Sequence, residues 1–240
     1  MQKISRFTLL LLLSITLVHA KEIDVYLAAG QSNAKAIWAQ SIQSELRRLS
    51  NNQDLQVVHS HHPGNWLNAW WKDDQPQKNY TDNYNAVQAK FKQILAAGNT
   101  PIFKGIFWFQ GEGDTRSPRD KALYKARFKA YIHRLESDFQ SSEITPVITV
   151  IDGNSAPKYD DPKNLAGRTR QDVEGMRKIL FELSEEVNGL AVDSRDYKRG
   201  DAWHIESSDL IALGQESAQL YYEKFLAPNN TSTDSNQCCN

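Results

Sequence analysis

The chain has 240 residues, 40% of them hydrophobic and 24% charged, with a formal net charge of -1. That length and balance suit one globular domain with a sizeable core, and they exclude a fibre, a repeat array or a mostly disordered chain. A near-neutral charge gives no electrostatic case for nucleic acid or an anionic membrane surface as partner.

The N-terminal stretch reads as a segment apart. Lys3 and Arg6 make a basic start, Leu9 to Val18 an apolar run broken only by Ser14 and Thr16, and Val18-His19-Ala20 offers small residues for a signal peptidase. We expect residues 1–20 to be a secretory signal cleaved near Ala20, giving a secreted protein, extracellular or periplasmic. A retained anchor is the alternative, but the run is shorter than the ~20 residues a spanning helix needs. Loss of the leader moves the formal charge from -1 to -3, and no later run is long enough for stable membrane insertion.

The mature chain opens on Ile23 to Asn33, IDVYLAAGQSN. An apolar run that ends in a glycine, then a polar residue, a serine and an asparagine, is the pattern of a buried parallel strand delivering a serine to the end of a sheet. Ligands bind in the crevice outside the carboxyl ends of such strands, which makes Ser32 a candidate nucleophile. The same tetrapeptide also suits a turn into a helix with Ser32 or Asn33 as N-cap. The GxSxG elbow of the α/β-hydrolases is missing here, which argues against that fold.

Strand and helix alternate from there. A helix is predicted over Ala34 to Leu49 and a strand over Leu55 to His59, followed by a loop rich in His, Pro, Gly, Asn and Trp. Val87, Phe91, Ile94 and Leu95 mark one face of a helix, and Ile102 to Phe109 suits a central strand buried on both faces. Phe128, Tyr131, Ile132, Leu135 and Phe139 repeat at three and four, and Pro146 to Ile151 reads as a fourth strand. Val173, Met176, Leu180, Leu183 and Val187 form a third apolar stripe, Leu190 to Val192 a short fifth strand, and Ser208 to Phe225 a last helix. This alternation predicts a three-layer α/β/α sandwich on a central parallel sheet of about five strands, with right-handed crossovers, over residues 21–227. The tail, 228–240, is rich in Asn, Ser and Thr and is expected to be disordered. The two cysteines, Cys238 and Cys239, are adjacent within it and cannot staple the fold.

Among the histidines, His133 falls on a polar helical face. His59, His61 and His62 form an HxHH cluster that suggests a metal, yet no carboxylate accompanies them locally, and we expect no metal site. His204 stands apart in GDAWHI, with Asp201 three residues earlier. An Asp-x-x-His pair in one turn sets the carboxylate against one imidazole nitrogen and leaves the other free to take a serine proton. Read alone, the pair better suits a helix cap, Asp201, beside a surface histidine, His204. Read with Ser32 it makes a triad, because the first and last elements of such a fold lead to the same edge of the sheet.

Acyl transfer also needs donors for an oxyanion, and the Ser32 N–H, Gly64 in HHPGNW and Gln110 in WFQGEGD are the candidates at strand ends. Gly64 also suits a simple turn, and Gln110 a local backbone contact. Gln31, Asn33, Trp66, Trp70 and Glu112 are candidate substrate contacts around them, with Trp71 close by. The tryptophans suit either a sugar platform or core packing. Glu112 and Asp114 lie on one loop, where carboxylates more often bond backbone than a cation.

Four blocks in this order, GQSN, the glycine loop after the second strand, WFQGEGD and DAWH, resemble the SGNH hydrolase superfamily. Gln110-Gly111-Glu112 with Asp114 resembles, more particularly, the sialate O-acetylesterase-like carbohydrate esterases, which include acetylxylan esterases of plants and bacteria. Arg170-Gln171 and Leu213-Gly214 fit the same group, and the likeness runs from about Ile23 to Phe225. HHPGNW departs from the group's Gly-Gly-Thr/Ser loop, GEGD carries glycine where serine is frequent, and Gln110 stands where most of the superfamily uses an asparagine.

The resemblance implies a carboxylic ester hydrolase. Ser32 would be the nucleophile, His204 the general base and acid, and Asp201 the orienting carboxylate, with Ser32, Gly64 and Gln110 forming the oxyanion hole. The substrate would be an O-acetylated carbohydrate, sialic acid or a polysaccharide such as xylan, with no cofactor required and no protein partner evident. The rival readings are a lipase or thioesterase on the same scaffold and a glycan-binding module without turnover.

Overall fold

The computed structural model describes residues 20–142, 144–154 and 164–227. The expected signal segment up to residue 19 and the expected tail from 228, with Cys238 and Cys239, lie outside the described residues. In chain order the elements are β1 (Glu22–Gly30), α1 (Ala36–Ser50), β2 (Gln56–His61), the hairpin strands β3 (Trp71–Lys72) and β4 (Gln75–Pro76), and α2 (Lys78–Ala96). They continue with β5 (Thr100–Phe109), α3 (Pro118–Phe139), β6 (Thr145–Val150), α4 (Arg170–Glu186), β7 (Leu190–Asp193) and α5 (Ser207–Tyr221). The last helix ends in a π-helical turn, Tyr222–Leu226.

β2, β1, β5, β6 and β7 make one sheet in that order, and every pairing in it is parallel. The chain winds one way from β1 to β2, then crosses back to β5 on the other side of β1. The carboxyl ends of β1 and β5 therefore flank the topological switch point, where an open α/β sheet has its crevice. α1 and α5 pack together on one face of the sheet, and α2, α3 and α4 cover the other. The three-layer reading of the sequence is what the chain adopts. No helix among the described residues is long and apolar enough to cross a membrane.

β5 shows how one apolar run serves both layers. Phe107 packs on Tyr221 of α5 and Phe109 on Trp38 of α1, while Trp108 between them packs on Phe128 and Tyr131 of α3. Phe103 nevertheless meets Phe139 of α3, on the Trp108 side. The reason is a bulge at Lys104: Val25 pairs with Phe103 but Tyr26 with Gly105, so one extra residue reverses the alternation. Helix starts follow local chemistry. Ser117 Oγ accepts from Asp120 N at the head of α3, with Pro118 in the first turn, and Thr169 and Asp172 form a reciprocal capping box on α4.

Element ends shift by a few residues from the sequence reading, and two differences lie close to the crevice. β2 extends to His61, because parallel pairing with β1 runs on to Gly30↔His61. The β3–β4 hairpin, two residues a side, is too short to leave a periodic signal in the sequence.

Candidate active site

β1 delivers Ser32 through a turn that only glycine permits. Gly30 has φ of +150°, and a Cβ there would lie 2.0 Å from the Phe109 carbonyl oxygen, because the ends of β1 and β5 close together. Gln31 N donates to that same carbonyl at 2.9 Å. Ser32 follows, half-buried at the rim of the crevice.

The loop before α5 supplies the partners. His204 Nε2 lies 2.9 Å from Ser32 Oγ, and His204 Nδ1 lies 2.6 Å from Asp201 Oδ2. Asp201 Oδ1 also accepts from the Trp203 and His204 backbone N–H groups, each at 2.8 Å. Burial pushes the Asp201 carboxyl up, but the bonds from the His204 ring and the two backbone N–H groups outweigh it and leave the group below the usual carboxylate range. A carboxylate so fixed favours the proton on Nδ1 and leaves the Nε2 lone pair facing the serine.

The loop itself is anchored from several directions. Gly200 N donates to His204 O at 2.9 Å, Asn154 N to Ala202 O at 2.8 Å, and Asn154 Nδ2 to Asp201 O at 2.9 Å. Arg170 reaches back from the start of α4 to the carbonyls of Gly153 and Asn154. On the inner side the Asn33 amide bonds the peptides on both sides of His204, giving a hydrogen to Trp203 O and taking one from Ile205 N, each at 3.0 Å.

The loop after β2 brings Gly64 to the same rim. Gly64 is exposed, with φ of +73°, and neither its N–H nor that of Ser32 has an acceptor among the described residues. Asp114 holds this loop from beneath: its carboxylate accepts from Leu67 N at 3.0 Å and from Gln110 Nε2 at 2.6 Å. Burial pushes Asp114 up to about 6, against the lowering pull of those two bonds.

Several candidates from the sequence take different places. Gln110 is fully buried, and its Nε2 gives its two hydrogens among Asp114 Oδ2, Gln31 Oε1 (3.1 Å) and Asn65 O (3.3 Å), while Tyr124 OH donates to Oε1 at 2.7 Å. Its amide therefore faces inward and supports the Gly64 loop instead of lining the crevice. Gln31 is buried too, and its Oε1 also accepts from Gly113 N at 3.3 Å. Asn33 and Glu112, 2% and 3% exposed, are bonded to each other at 2.9 Å and are out of reach of a substrate. Trp70 is wholly buried against Trp108 and His62, and Trp71 is 7% exposed. Only Trp66 of the three stays half-exposed. A Cβ on Gly113 would lie 2.7 Å from Trp66 Cδ1, so the glycine in GEGD makes room for that ring.

His59 and His61 point the same way along β2 and stack at 4.8 Å, with His59 Nε2 2.8 Å from Ala34 O. Among the described residues, no three His, Cys, Asp or Glu side chains lie together as a metal ligand set. The sequence reading missed Arg168 and Asn154. Arg168 lies 4.5 Å over the Trp203 ring and donates to Glu112 O at 2.7 Å and Thr115 Oγ1 at 2.6 Å. Neither residue had a local signal, since each acts across chain segments that only the fold brings together.

Residues 37–223 match the model of a family described as carbohydrate esterase, sialic acid-specific acetylesterase. That span holds Gly64, Gln110, Asp201 and His204, and begins five positions after Ser32. A solved structure of a protein from Arabidopsis thaliana is similar, with a TM-score of 0.65 and 15% identity over 84% of this chain and 98% of that one. A carbohydrate acetylesterase from Xanthomonas citri gives 0.63 and 14%, over 83% of this chain and 56% of that one. A carbohydrate acetylesterase from Sinorhizobium meliloti gives 0.57 and 10%, over 85% and 100%. No curated protein matches the chain by sequence.

Proposed function

The chain belongs to the carbohydrate esterase family of sialic acid-specific acetylesterases, and from that footing we propose that it is a secreted serine esterase removing O-acetyl groups from carbohydrate. The observation that carries the mechanism is the unbroken line of hydrogen bonds from Asp201 through His204 to Ser32, at 2.6 and 2.9 Å.

Ser32 Oγ attacks the acetyl carbonyl while His204 Nε2 takes its proton. Asp201 holds the ring and stabilises the imidazolium that forms. The Ser32 and Gly64 N–H groups are the donors for the tetrahedral oxyanion, and Gln110 and Asp114 keep the Gly64 loop in place. His204 returns the proton to the departing sugar oxygen, and water, activated by the same nitrogen, then releases acetate from Ser32. No step in this sequence needs a metal or an organic cofactor. Trp66, half-exposed beside Gly113, is the aromatic surface on which a sugar ring would stack.

The test is acetate release by the mature chain from Lys21 onward, against O-acetylated sialic acid, acetylated xylan and an aryl acetate, with Ser32→Ala alongside. Release that vanishes in the variant supports the reading, and the preferred substrate identifies the sugar. Equal inactivity of both proteins, with glycan still bound, would replace it with a binding module. Culture fractionation of the full chain, with N-terminal sequencing of the exported product, tests the cleavage near Ala20.

A further inference from the structure

Asn33 and Glu112 sit one layer beneath the reacting groups, at the ends of β1 and β5. The Asn33 amide uses both of its hydrogens, one to Glu112 Oε1 at 2.9 Å and one to Trp203 O at 3.0 Å, and its oxygen accepts from Ile205 N at 3.0 Å. Two of these bonds belong to the His204 loop, one on each side of the histidine. Only the bond to Glu112 comes from outside it.

That difference matters because an amide is nearly symmetric in shape. Turned end for end, Asn33 would set its oxygen against the Trp203 carbonyl and its NH2 against the Ile205 N–H, replacing two bonds by two repulsions. A carboxyl oxygen of Glu112 can accept only from the NH2 end. Glu112 therefore keeps the amide turned correctly even when the loop moves off it. Arg168 fixes Glu112 in turn, through the bond to its carbonyl at 2.7 Å, and lies over the Trp203 ring of the same loop at 4.5 Å. The second carboxyl oxygen of Glu112 is buried with no partner among the described residues, and burial pushes the carboxyl up against the lowering pull of the Asn33 bond and the Arg168 charge.

We propose that Glu112 is a positioning residue for His204, acting through Asn33, and that it works by accepting a hydrogen bond, not by its charge. The proposal rests on the reading of Ser32 and His204 as the reacting pair. A substituent that keeps the acceptor should keep function, and one that removes it should loosen the loop without touching substrate.

The experiment compares Glu112→Gln with Glu112→Met in the mature protein. The apolar methionine suits the buried position, so its effect is not expected to be loss of the fold. Glu112→Gln is expected to keep kcat within about threefold of wild type, whereas Glu112→Met lowers kcat by about 10- to 100-fold with KM within about twofold. Hydrogen exchange of the Ile205 amide should quicken in Glu112→Met and stay slow in Glu112→Gln. Wild-type kcat and Ile205 exchange in Glu112→Met would overturn the proposal, and so would a loss in Glu112→Gln as large as in Glu112→Met, which would make the charge the active feature. If the wild type released no acetate, the esterase reading would fall, while Ile205 exchange would still decide whether Glu112 sets the clamp.

Discussion

His204 Nε2 lies 2.9 Å from Ser32 Oγ although 172 positions separate the two residues. One element at each end of the domain supplies a partner, and the sheet holds both at one rim. The opposite nitrogen of the same ring is committed to Asp201 Oδ2 at 2.6 Å, so the imidazole has a defined donor side and a defined acceptor side.

Removing either neighbour of that ring should therefore cost turnover far more than binding. Ser32→Ala is expected to lower kcat by roughly 10⁴-fold or more, and Asp201→Asn by roughly 10³- to 10⁴-fold, since an asparagine NH2 favours the wrong tautomer. Steady-state hydrolysis of an aryl acetate measures both. An Asp201→Asn variant with wild-type kcat would take Asp201 out of the chemistry.

Two glycines near the site should respond differently to alanine. Gly30→Ala puts a Cβ 2.0 Å from the Phe109 carbonyl oxygen, which is backbone and cannot move aside, and is expected to lower stability by about 3 kcal/mol or more. Gly64→Ala meets no atom within 4 Å and carries only the cost of a positive φ, about 1 kcal/mol. Urea unfolding of the two variants gives the comparison. Equal stabilities would contradict the close approach of β1 and β5.

The tryptophans separate in the same way. Trp70→Ala empties a fully buried position and is expected to cost about 3–5 kcal/mol. Trp66→Ala, at a half-exposed ring beside the crevice, should raise KM for a sugar ester several-fold while leaving the KM of a plain aryl acetate near wild type. An unchanged KM for the sugar ester would remove Trp66 from the substrate platform.

Asp114 gives the protein a pH signature. Its folded value of about 6 lies above the ordinary 3.8, so between those values the folded chain holds a proton that the unfolded chain has released. Stability accordingly falls as pH rises through that window, by about 3 kcal/mol at most for this group. Asp114→Asn keeps a neutral acceptor for Leu67 N and Gln110 Nε2. It should match wild type near pH 4 and exceed it near pH 7. Denaturant unfolding at the two pH values checks this, and a constant difference between the proteins would assign the carboxyl no such role.

The alternation of apolar runs was enough to read the layers and the parallel sheet, because period and chain order survive in a linear string. The β5 bulge was not legible: Phe103 and Trp108 share a face through one extra residue at Lys104, and nothing in TPIFKGIFWF marks which residue is surplus. Ser32, Asp201 and His204 could be singled out because the strand-end serine and the Asp-x-x-His turn keep their local spacing in the string, and together they make a triad that neither makes alone.

Gln110, Asn33 and Glu112 show where the linear reading stops. Their residue types suit an oxyanion donor and substrate contacts equally well, and only burial separates a group that faces the crevice from one that holds the group facing it. Polar side chains buried at a sheet's edge must find partners among whatever chains converge there. Those partners, Asp114 and Asn65 for Gln110 and Trp203 and Ile205 for Asn33, come from distant loops. The sequence by itself determined the layers, the strand that carries the serine and the turn that carries the histidine. The tertiary structure alone decided which polar residues reach the crevice and which hold it open, because that depends on distances between segments far apart in the chain.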